Sequence, residues 1–468
     1  MITIPLFEAS VAIGGRPNKS ISAMDYISNV TQISTEVKEG TLFVALIGKK
    51  FDGHDFVIEA QKKGAIAAIV EREIPNIEIP QIIVPSTEMA LGDLGRIWRC
   101  RLETPLIAVT GSVGKTTTKE LIAHILSKKF KTHKSRKNFN NQLGLPIELL
   151  RLERNHECSV VEFGMRGFNQ INYLSKIARP NIGVITNIGL SHIGILKSRK
   201  NIAKAKAEIF QGMDGNGIAI LNRDDEFFEL ISNQCHCRII SYGTNKDSDI
   251  HISDIELVQN IFPKFKLNGN EIILNNCTGE YNAYNSAVGY AIGLEMGMQI
   301  NDIIEQLNSF KQPERRGTSI KLNNQAIILD STYNAAPDSI IANLETISKR
   351  KRKNHRLICI IGEMLELGSH SIKAHKLIGK RINSLENKVD LLITVGDFAK
   401  YINQESSVSN KYHFKKSNLI DEKIYNSIQA DDIILIQGSN SVRLDFIVEK
   451  LESIYGVYRK KNTAHNTV

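Results

Sequence analysis

The sequence predicts an α/β protein in three units: a small N-terminal α/β domain over residues 1–103, a central α/β domain with a mainly parallel sheet over 104–312, and a C-terminal Rossmann-like α/β domain over 313–468. Two observations predict this. Short β-branched apolar runs alternate with helical patterns along most of the chain, the signature of parallel strands joined by helical crossovers. At 468 residues, 42% of them hydrophobic, the chain is too long for a single core and has the apolar material for several.

In the first unit the runs are Thr41-Leu-Phe-Val-Ala-Leu46, Ala67-Ala-Ile-Val70 and Gln81-Ile-Ile-Val84, with a helical stretch over 57–63. The second opens with Leu106-Ile-Ala-Val-Thr110 and continues through Cys158-Ser-Val-Val161, Ile182-Gly-Val-Ile185 and Gly217-Ile-Ala-Ile-Leu221. From about 235 to 278 the pattern shortens and alternates, which predicts an antiparallel flap. The third carries Ala326-Ile-Ile-Leu329, Leu357-Ile-Cys-Ile-Ile361, Leu391-Leu-Ile-Thr394 and Ile433-Ile-Leu-Ile436, with Gln312-Pro-Glu-Arg-Arg-Gly317 near the hinge.

No run of about 18 apolar residues is present and the N-terminus lacks a basic region before an apolar core, so a cytoplasmic protein without an integral membrane segment is expected, as a monomer. The six cysteines are scattered, which argues against a disulfide framework, and Cys235-His-Cys237 has no second Cys/His pair to complete a zinc site. The net charge of +9 invites a nucleic-acid reading. Against it, the densest basic run, Lys349-Arg-Lys-Arg-Lys353, is short and no aromatic residues interleave with it, so no nucleic-acid partner is expected.

The strand at 106–110 runs straight into Gly111-Ser-Val-Gly-Lys-Thr-Thr117 and then into a helical stretch. A loop of this kind binds phosphate: backbone N–H groups around Gly111, Ser112 and Gly114 point at phosphate oxygens, Lys115 supplies charge, and the hydroxyl of Thr116 can hold Mg2+. ATP with Mg2+ is the expected ligand, with Thr117 alongside. Only Ser112 and Val113 separate Gly111 from Gly114, where the common loop has four residues before its Gly-Lys pair.

This short loop resembles that of the Mur ligases and their relative folylpolyglutamate synthase, and ordered matches continue along the chain. Val37-Lys-Glu-Gly-Thr-Leu-Phe-Val-Ala-Leu46 and Phe51-Asp-Gly-His-Asp-Phe56 are similar to the family's GxLFxAL and FDGHDF segments. Asn138-Phe-Asn-Asn-Gln-Leu-Gly-Leu-Pro146 matches NxNNxxGxP, and Glu162, His192 and Lys206 follow in the family's order. Asp330-Ser-Thr-Tyr-Asn-Ala-Ala-Pro-Asp-Ser339 resembles DDSYNANPDS, and Gly362-Glu-Met-Leu-Glu-Leu-Gly368 resembles GDMLELG.

The resemblance implies an ATP-dependent amide ligase that forms an acyl phosphate on the carboxylate of a UDP-linked peptide and joins it to an amino acid or dipeptide, D-alanyl-D-alanine being the best match. It implies two Mg2+ ions, one held by Thr116 and Glu162, the other near His192 and a CO2-derived carbamate on Lys206. It places Asn282 and Asn285 at the nucleotide, Asp330 near the ribose, and either Arg315 or Arg316 on the ATP phosphates. It makes Ser34, Asn138, Asn140, Asn141, Tyr333 and Asn334 substrate-binding residues, Ser34 in the stretch that normally helps hold the uridine nucleotide. Standing alone, Glu162 reads as a strand-end carboxylate and Lys206 as a helix-surface lysine.

Departures bear on the substrates. Ile33-Ser-Thr35 stands where the family has Asp-Ser-Arg, Tyr281 where histidine is usual, Ser331 and Ala336 interrupt DDSYNANP, and Gln437-Gly-Ser-Asn440 replaces KGSR. A ligase building another cell-wall peptide, such as archaeal pseudomurein, and a nucleotide-binding scaffold without ligase activity are the alternatives. Retention of Lys115, Glu162, His192 and Lys206 together speaks against the scaffold.

Overall fold

The computed structural model describes residues 3–136, 139–258, 261–350 and 355–458. Three α/β units follow one another along the chain. In the first, the strands run in the order Arg16–Pro17, Gln81–Ile83, Ala65–Val70, Thr41–Val44 and Asn29–Thr31, all parallel except the first. The sequence gives no warning of the long helix Thr87–Cys100, which Ser86 caps by accepting from Met89 N and which leads out of this unit. Trp98 is fully buried on that helix and donates Nε1 to Leu152 O at 2.8 Å, fastening it to the central unit.

The central sheet places Thr132–Lys134, Cys158–Glu162, Leu106–Thr110, Ile182–Ile185, Ile218–Asn222, Arg238–Gly243 and Ile250–Val258 side by side and parallel. The strands Phe262–Leu267 and Asn270–Ile273 then add on antiparallel. The expected flap is therefore shorter than its sequence suggests. Arg238–Gly243 extends the parallel sheet because Ile240 and Tyr242 bury against the same core as Ile220. Cys235 and Cys237 lie before that strand, with Cys237 Sγ turned to Asp214 O and His236 Nε2 to Met213 O.

In the last unit the order is Thr318–Lys321, Ile327–Ser331, Ile433–Gln437, Leu357–Gly362, Leu391–Val395 and Lys411–Phe414, parallel apart from the first strand. Its inner strands Leu357–Gly362, Leu391–Val395 and Ile433–Gln437 are buried on both faces, as continuous β-branched runs predict. Each fully buried Ile or Leu there contributes about 1.5–3 kcal/mol of transfer free energy. Among the described residues no helix is long and apolar enough to cross a membrane. Of the basic run 349–353, residues 351–353 lie outside the described residues, and Lys349 pairs with Glu280 at 2.6 Å.

Both large sheets point the carboxyl ends of their parallel strands at a shared cavity of about 960 Å³, lined from both units.

Candidate active site

The strand Leu106–Thr110 ends in the loop 111–114, and the helix Lys115–Leu126 starts directly after it. Gly111 (φ +148°) and Gly114 (φ +87°) adopt conformations that a side chain resists, and a Cβ at 111 would lie 1.8 Å from Thr186 Oγ1. The neighbouring strand Ile182–Ile185 continues into a segment that ties the loop down. Val113 N donates to Asn187 Oδ1 at 3.0 Å, and Thr186 Oγ1 and Asn187 Nδ2 donate to Val113 O at 2.6 and 3.0 Å. Lys115 Nζ donates to Gly111 O at 2.8 Å and Ser112 O at 3.3 Å, so its charge sits at the loop. Burial holds its pKa below the usual lysine value, with Glu162 opposing the shift.

Glu162 closes the strand Cys158–Glu162 and is buried. Thr116 Oγ1 donates to its Oε2 at 2.7 Å and Asn140 Nδ2 to its Oε1 at 2.9 Å. A hydroxyl and a carboxylate beside a phosphate loop are oxygen donors of the kind that would suit Mg2+. The described residues hold no group of three or more His, Cys, Asp or Glu that would make an all-protein metal site.

His192 and Lys206 stand behind this pair. His192 takes a left-handed backbone (φ +65°), and its Nδ1 lies 3.0 Å from Glu366 Oε2, off the line of a hydrogen bond. Burial, then the charges of Lys115 and Lys206, lower its pKa, against the pull of Glu366. Lys206, on the helix Arg199–Ala207, is 1% exposed, far from the surface position its pattern allows. Burial first and Lys115 second drive its pKa well below the usual value, against the pull of Glu162.

The C-terminal unit is docked onto this cluster. Leu190 N donates to Asp338 Oδ2 at 2.9 Å, Arg166 pairs with Glu366 at 3.3 Å, and a Cβ on Gly194 would meet the backbone nitrogen of Gly368 at 2.7 Å. The two hinge arginines part company at a left-handed turn (Arg315 φ +60°). Arg315 grips its own unit, donating Nε to Thr332 Oγ1 at 2.9 Å and Nη2 to Asn440 Oδ1 at 3.2 Å. Arg316 instead stacks its guanidinium 4.2 Å from the Tyr333 ring centroid and is drawn electrostatically toward Glu162.

Beyond Arg316 the strand ends are uncharged. Ser331 and Gln437 are register partners on adjacent strands. Asn343 Nδ2 donates to Ser331 Oγ at 3.0 Å and to Gln437 Oε1 at 2.9 Å, while Gln437 Nε2 donates to Ser339 Oγ at 2.9 Å. Tyr281 OH reaches Asn343 Oδ1 at 3.3 Å.

Ser112, Gly114, Lys115, Thr116, Thr117, Asn140, Asn141, Glu162, His192, Asn285, Arg315, Arg316, Tyr333 and Asn334 all line the cavity. Among the described residues, Gly111, Lys206, Asn282, Asp330 and Ser34 do not. Asn282 is buried, donates to Thr278 O at 2.8 Å and accepts from Asn285 Nδ2 at 2.9 Å, so it braces Asn285 and does not face the nucleotide space. Asp330 spends Oδ1 on Thr332 N and Oγ1 (3.0 and 2.7 Å) beneath the wall. Ser34 donates to Glu59 Oε2 at 2.8 Å within the N-terminal unit. Asn138 lies outside the described residues.

Three family models match in chain order: the Mur ligase family catalytic domain over 26–98, the Mur ligase middle domain over 109–293, and the Mur ligase glutamate ligase domain over 315–440. The chain is also 35% identical to the UDP-N-acetylmuramoyl-tripeptide–D-alanyl-D-alanine ligase of Buchnera aphidicola subsp. Baizongia pistaciae, an alignment covering 97% of this chain and 99% of that protein. The chain belongs to the Mur ligase family.

Among solved structures this Mur ligase superposes on MurF from Acinetobacter baumannii with a TM-score of 0.88, at 30% identity over 96% of this chain and 99% of that one. It superposes on the MurF ligase of Thermotoga maritima in complex with ADP with a TM-score of 0.81, at 27% identity over 91% and 97%.

The sequence reading of this Mur ligase missed Asp224, Tyr284 and Glu366, all in the cavity wall. Tyr284 OH donates to Asp224 Oδ2 at 2.9 Å across 60 residues of sequence. A signal for Asp224 existed: Arg223-Asp-Asp-Glu226 follows the end of the strand Ile218–Asn222, and ligands of open α/β sheets gather outside carboxyl strand ends.

Proposed function

We propose that this Mur ligase joins D-alanyl-D-alanine to a UDP-N-acetylmuramoyl tripeptide, with hydrolysis of ATP to ADP and phosphate, in peptidoglycan precursor synthesis. The observation that carries the reading is the meeting of Lys115, Thr116 and Glu162 with Arg316 from the C-terminal unit in one cavity. The substrate assignment draws its support from the relatives that match over almost their whole length, which are UDP-N-acetylmuramoyl-tripeptide–D-alanyl-D-alanine ligases.

In this reading a peptide carboxylate oxygen attacks the γ-phosphorus of ATP, the bond to the β-bridging oxygen breaks, and ADP leaves behind an acyl phosphate. The free amine of the dipeptide then attacks the acyl carbon, loses a proton, and the C–O bond to phosphate breaks. Such transfer is chiefly positioning and charge neutralisation. Lys115 and the loop N–H groups hold the β- and γ-phosphates, and Arg316 meets the charge that develops on the transferred group. Thr116 and Glu162 hold one Mg2+, and His192 with carbamylated Lys206 holds the other. Bound there, Mg2+ supplies Lewis-acid neutralisation of phosphate and carboxylate oxygens. Carbamylation needs an unprotonated amine to attack CO2, and the depressed pKa of Lys206 favours that form.

The test is phosphate release from ATP by the purified chain with Mg2+ and bicarbonate, across UDP-muramoyl peptides and candidate amines. Release that requires both UDP-muramoyl tripeptide and D-alanyl-D-alanine supports the proposal. Tight ATP binding without release on that pair, but with release on another peptide and amine, overturns the substrate assignment and leaves the ligase chemistry.

A further inference from the structure

An ion pair between a buried carboxylate and a half-exposed arginine, unused in the chemistry above, braces the segment that delivers Asn140 to Glu162. Glu148, on the helix Gly144–Leu150, is 1% exposed. Its Oε1 accepts from Arg136 Nε at 2.6 Å and its Oε2 from Arg136 N at 3.1 Å, so one carboxylate fixes both the backbone and the side chain of Arg136. The Arg136 guanidinium carbon lies 4.1 Å from the centroid of the Phe139 ring. Phe139 is followed directly by Asn140, whose carbonyl accepts from Gly164 N at 2.7 Å and whose Nδ2 donates to Glu162 Oε1.

On the other side of Arg136, Ser135 Oγ accepts from Glu162 N at 3.2 Å, and Lys119 Nζ, itself fully buried, donates to Ser135 O at 2.5 Å. Glu162 is thus held at its backbone by Ser135 and at its carboxylate by Asn140, with the Glu148–Arg136 pair between. His133, whose Nε2 is 3.7 Å from Glu148 Oε2, is kept neutral by burial, with its pKa down at about 3, so Arg136 is the cation that answers Glu148.

A well-packed apolar pair would fasten the helix to this segment at least as strongly as an ion pair that must be desolvated. What the ion pair adds is direction, because Arg136 Nε and the Arg136 backbone N–H each take one oxygen of the same carboxylate, and this fixes the face that the guanidinium offers to Phe139. We infer that Glu148 is a positioning residue for the nucleotide and metal site. By fixing Arg136 and Phe139 it sets Asn140, and through Asn140 the direction of the Glu162 carboxylate. The inference rests on the proposed ATP site.

The experiment is titration of the full-length protein with ADP alone and with Mn2+·ADP, by calorimetry and by the electron paramagnetic resonance of Mn2+, for wild type, Glu148→Gln and Phe139→Leu. Glu148→Gln frees Arg136 to turn to solvent and is expected to raise the Kd for Mn2+·ADP about tenfold, the size of effect seen when supports of metal ligands are lost. Phe139→Leu leaves the ion pair but removes the ring, and is expected to raise it about threefold. ADP alone should bind all three within twofold, which a general loosening of the fold would not give. Unchanged Mn2+·ADP binding by folded Glu148→Gln overturns the inference; if that variant does not fold, unchanged binding by Phe139→Leu overturns it. Failure of the wild type to bind Mn2+·ADP at all sinks the ATP site and this inference with it.

Discussion

On the phosphate-loop side of the cavity, Lys115, Glu162, His192 and Arg316 bring ionisable groups together, and burial lowers the pKa values of Lys115, His192 and Arg316; where Ser331 and Gln437 end neighbouring strands, Asn343, Ser339 and Tyr281 complete a wall of amides and hydroxyls. Both surfaces use the same architectural device, the carboxyl ends of a parallel sheet. The difference lies in what each must recognise. Transferring a phosphoryl group demands fixed charge, whereas a wall of neutral donors and acceptors sorts ligands by shape and hydrogen-bond pattern, at about 1–3 kcal/mol for each buried partner left unsatisfied.

The largest expected effect is on the charged side. Lys115→Ala should cut ligand-dependent phosphate release by roughly 1,000-fold, the scale of losing one charge aligned on a transferring phosphoryl group. A loss of less than tenfold in steady-state assays would mean that this side is not where the phosphoryl group moves. Next, Lys206→Ala should lower kcat by about 10–100-fold, as for loss of a metal-supporting group, with partial recovery on adding formate or acetate. Full activity without such additives would remove the carbamate from the account.

On the neutral side, Asn343→Ala deletes the amide that joins Ser331 to Gln437. It should raise KM for the amine substrate about fivefold, roughly 1 kcal/mol, while KM for ATP moves less than twofold. Equal changes in both would erase the contrast between the two surfaces.

The last effect is on stability and leaves the chemistry untouched; it concerns the footing of the charged side. His133 has its pKa pushed from 6.5 down to about 3, by burial first and then by the charges of His156, Arg151, Arg136 and Lys119. The unfolded chain takes up its proton near 6.5 and the folded chain does not, so stability is fully present above that pH and is lost as the pH falls toward 3. The slope from this group is at most about 1.4 kcal/mol per pH unit. His133→Gln should flatten that part of the urea-denaturation profile; an unchanged slope would place the titration elsewhere.

Much of the phosphate-loop side was legible because its signals are local. A β-branched run, two glycines with positive φ, a lysine and a threonine lie within a dozen residues, and each has one physical use there. The strand ends of the third unit were legible as strands, but not as a wall, because Ser331, Asn343 and Gln437 meet only through sheet register and a helix. The two hinge arginines looked equivalent until the left-handed turn at Arg315 sent them apart. Asn282 and Asp330 show the opposite failure: polar residues beside a site can be spent holding it, and sequence does not say which hydrogen bonds are already taken. Lys206 read as a surface lysine because helical periodicity counts apolar neighbours, and a lysine that points inward is invisible to that count.

The turn at Arg315 also bears on timing. One guanidinium is moored to the C-terminal unit through Thr332 and Asn440, and its neighbour in sequence stacks on Tyr333 of that unit and lines the cavity that Glu162 also lines. Any swing of the C-terminal unit away from the loop must therefore carry Arg316 with it. In the proposed reaction this works as an interlock: the charge that commits ATP arrives on the same body that lines the wall for the incoming amine, so the nucleotide stays intact until that wall is in place to make use of it.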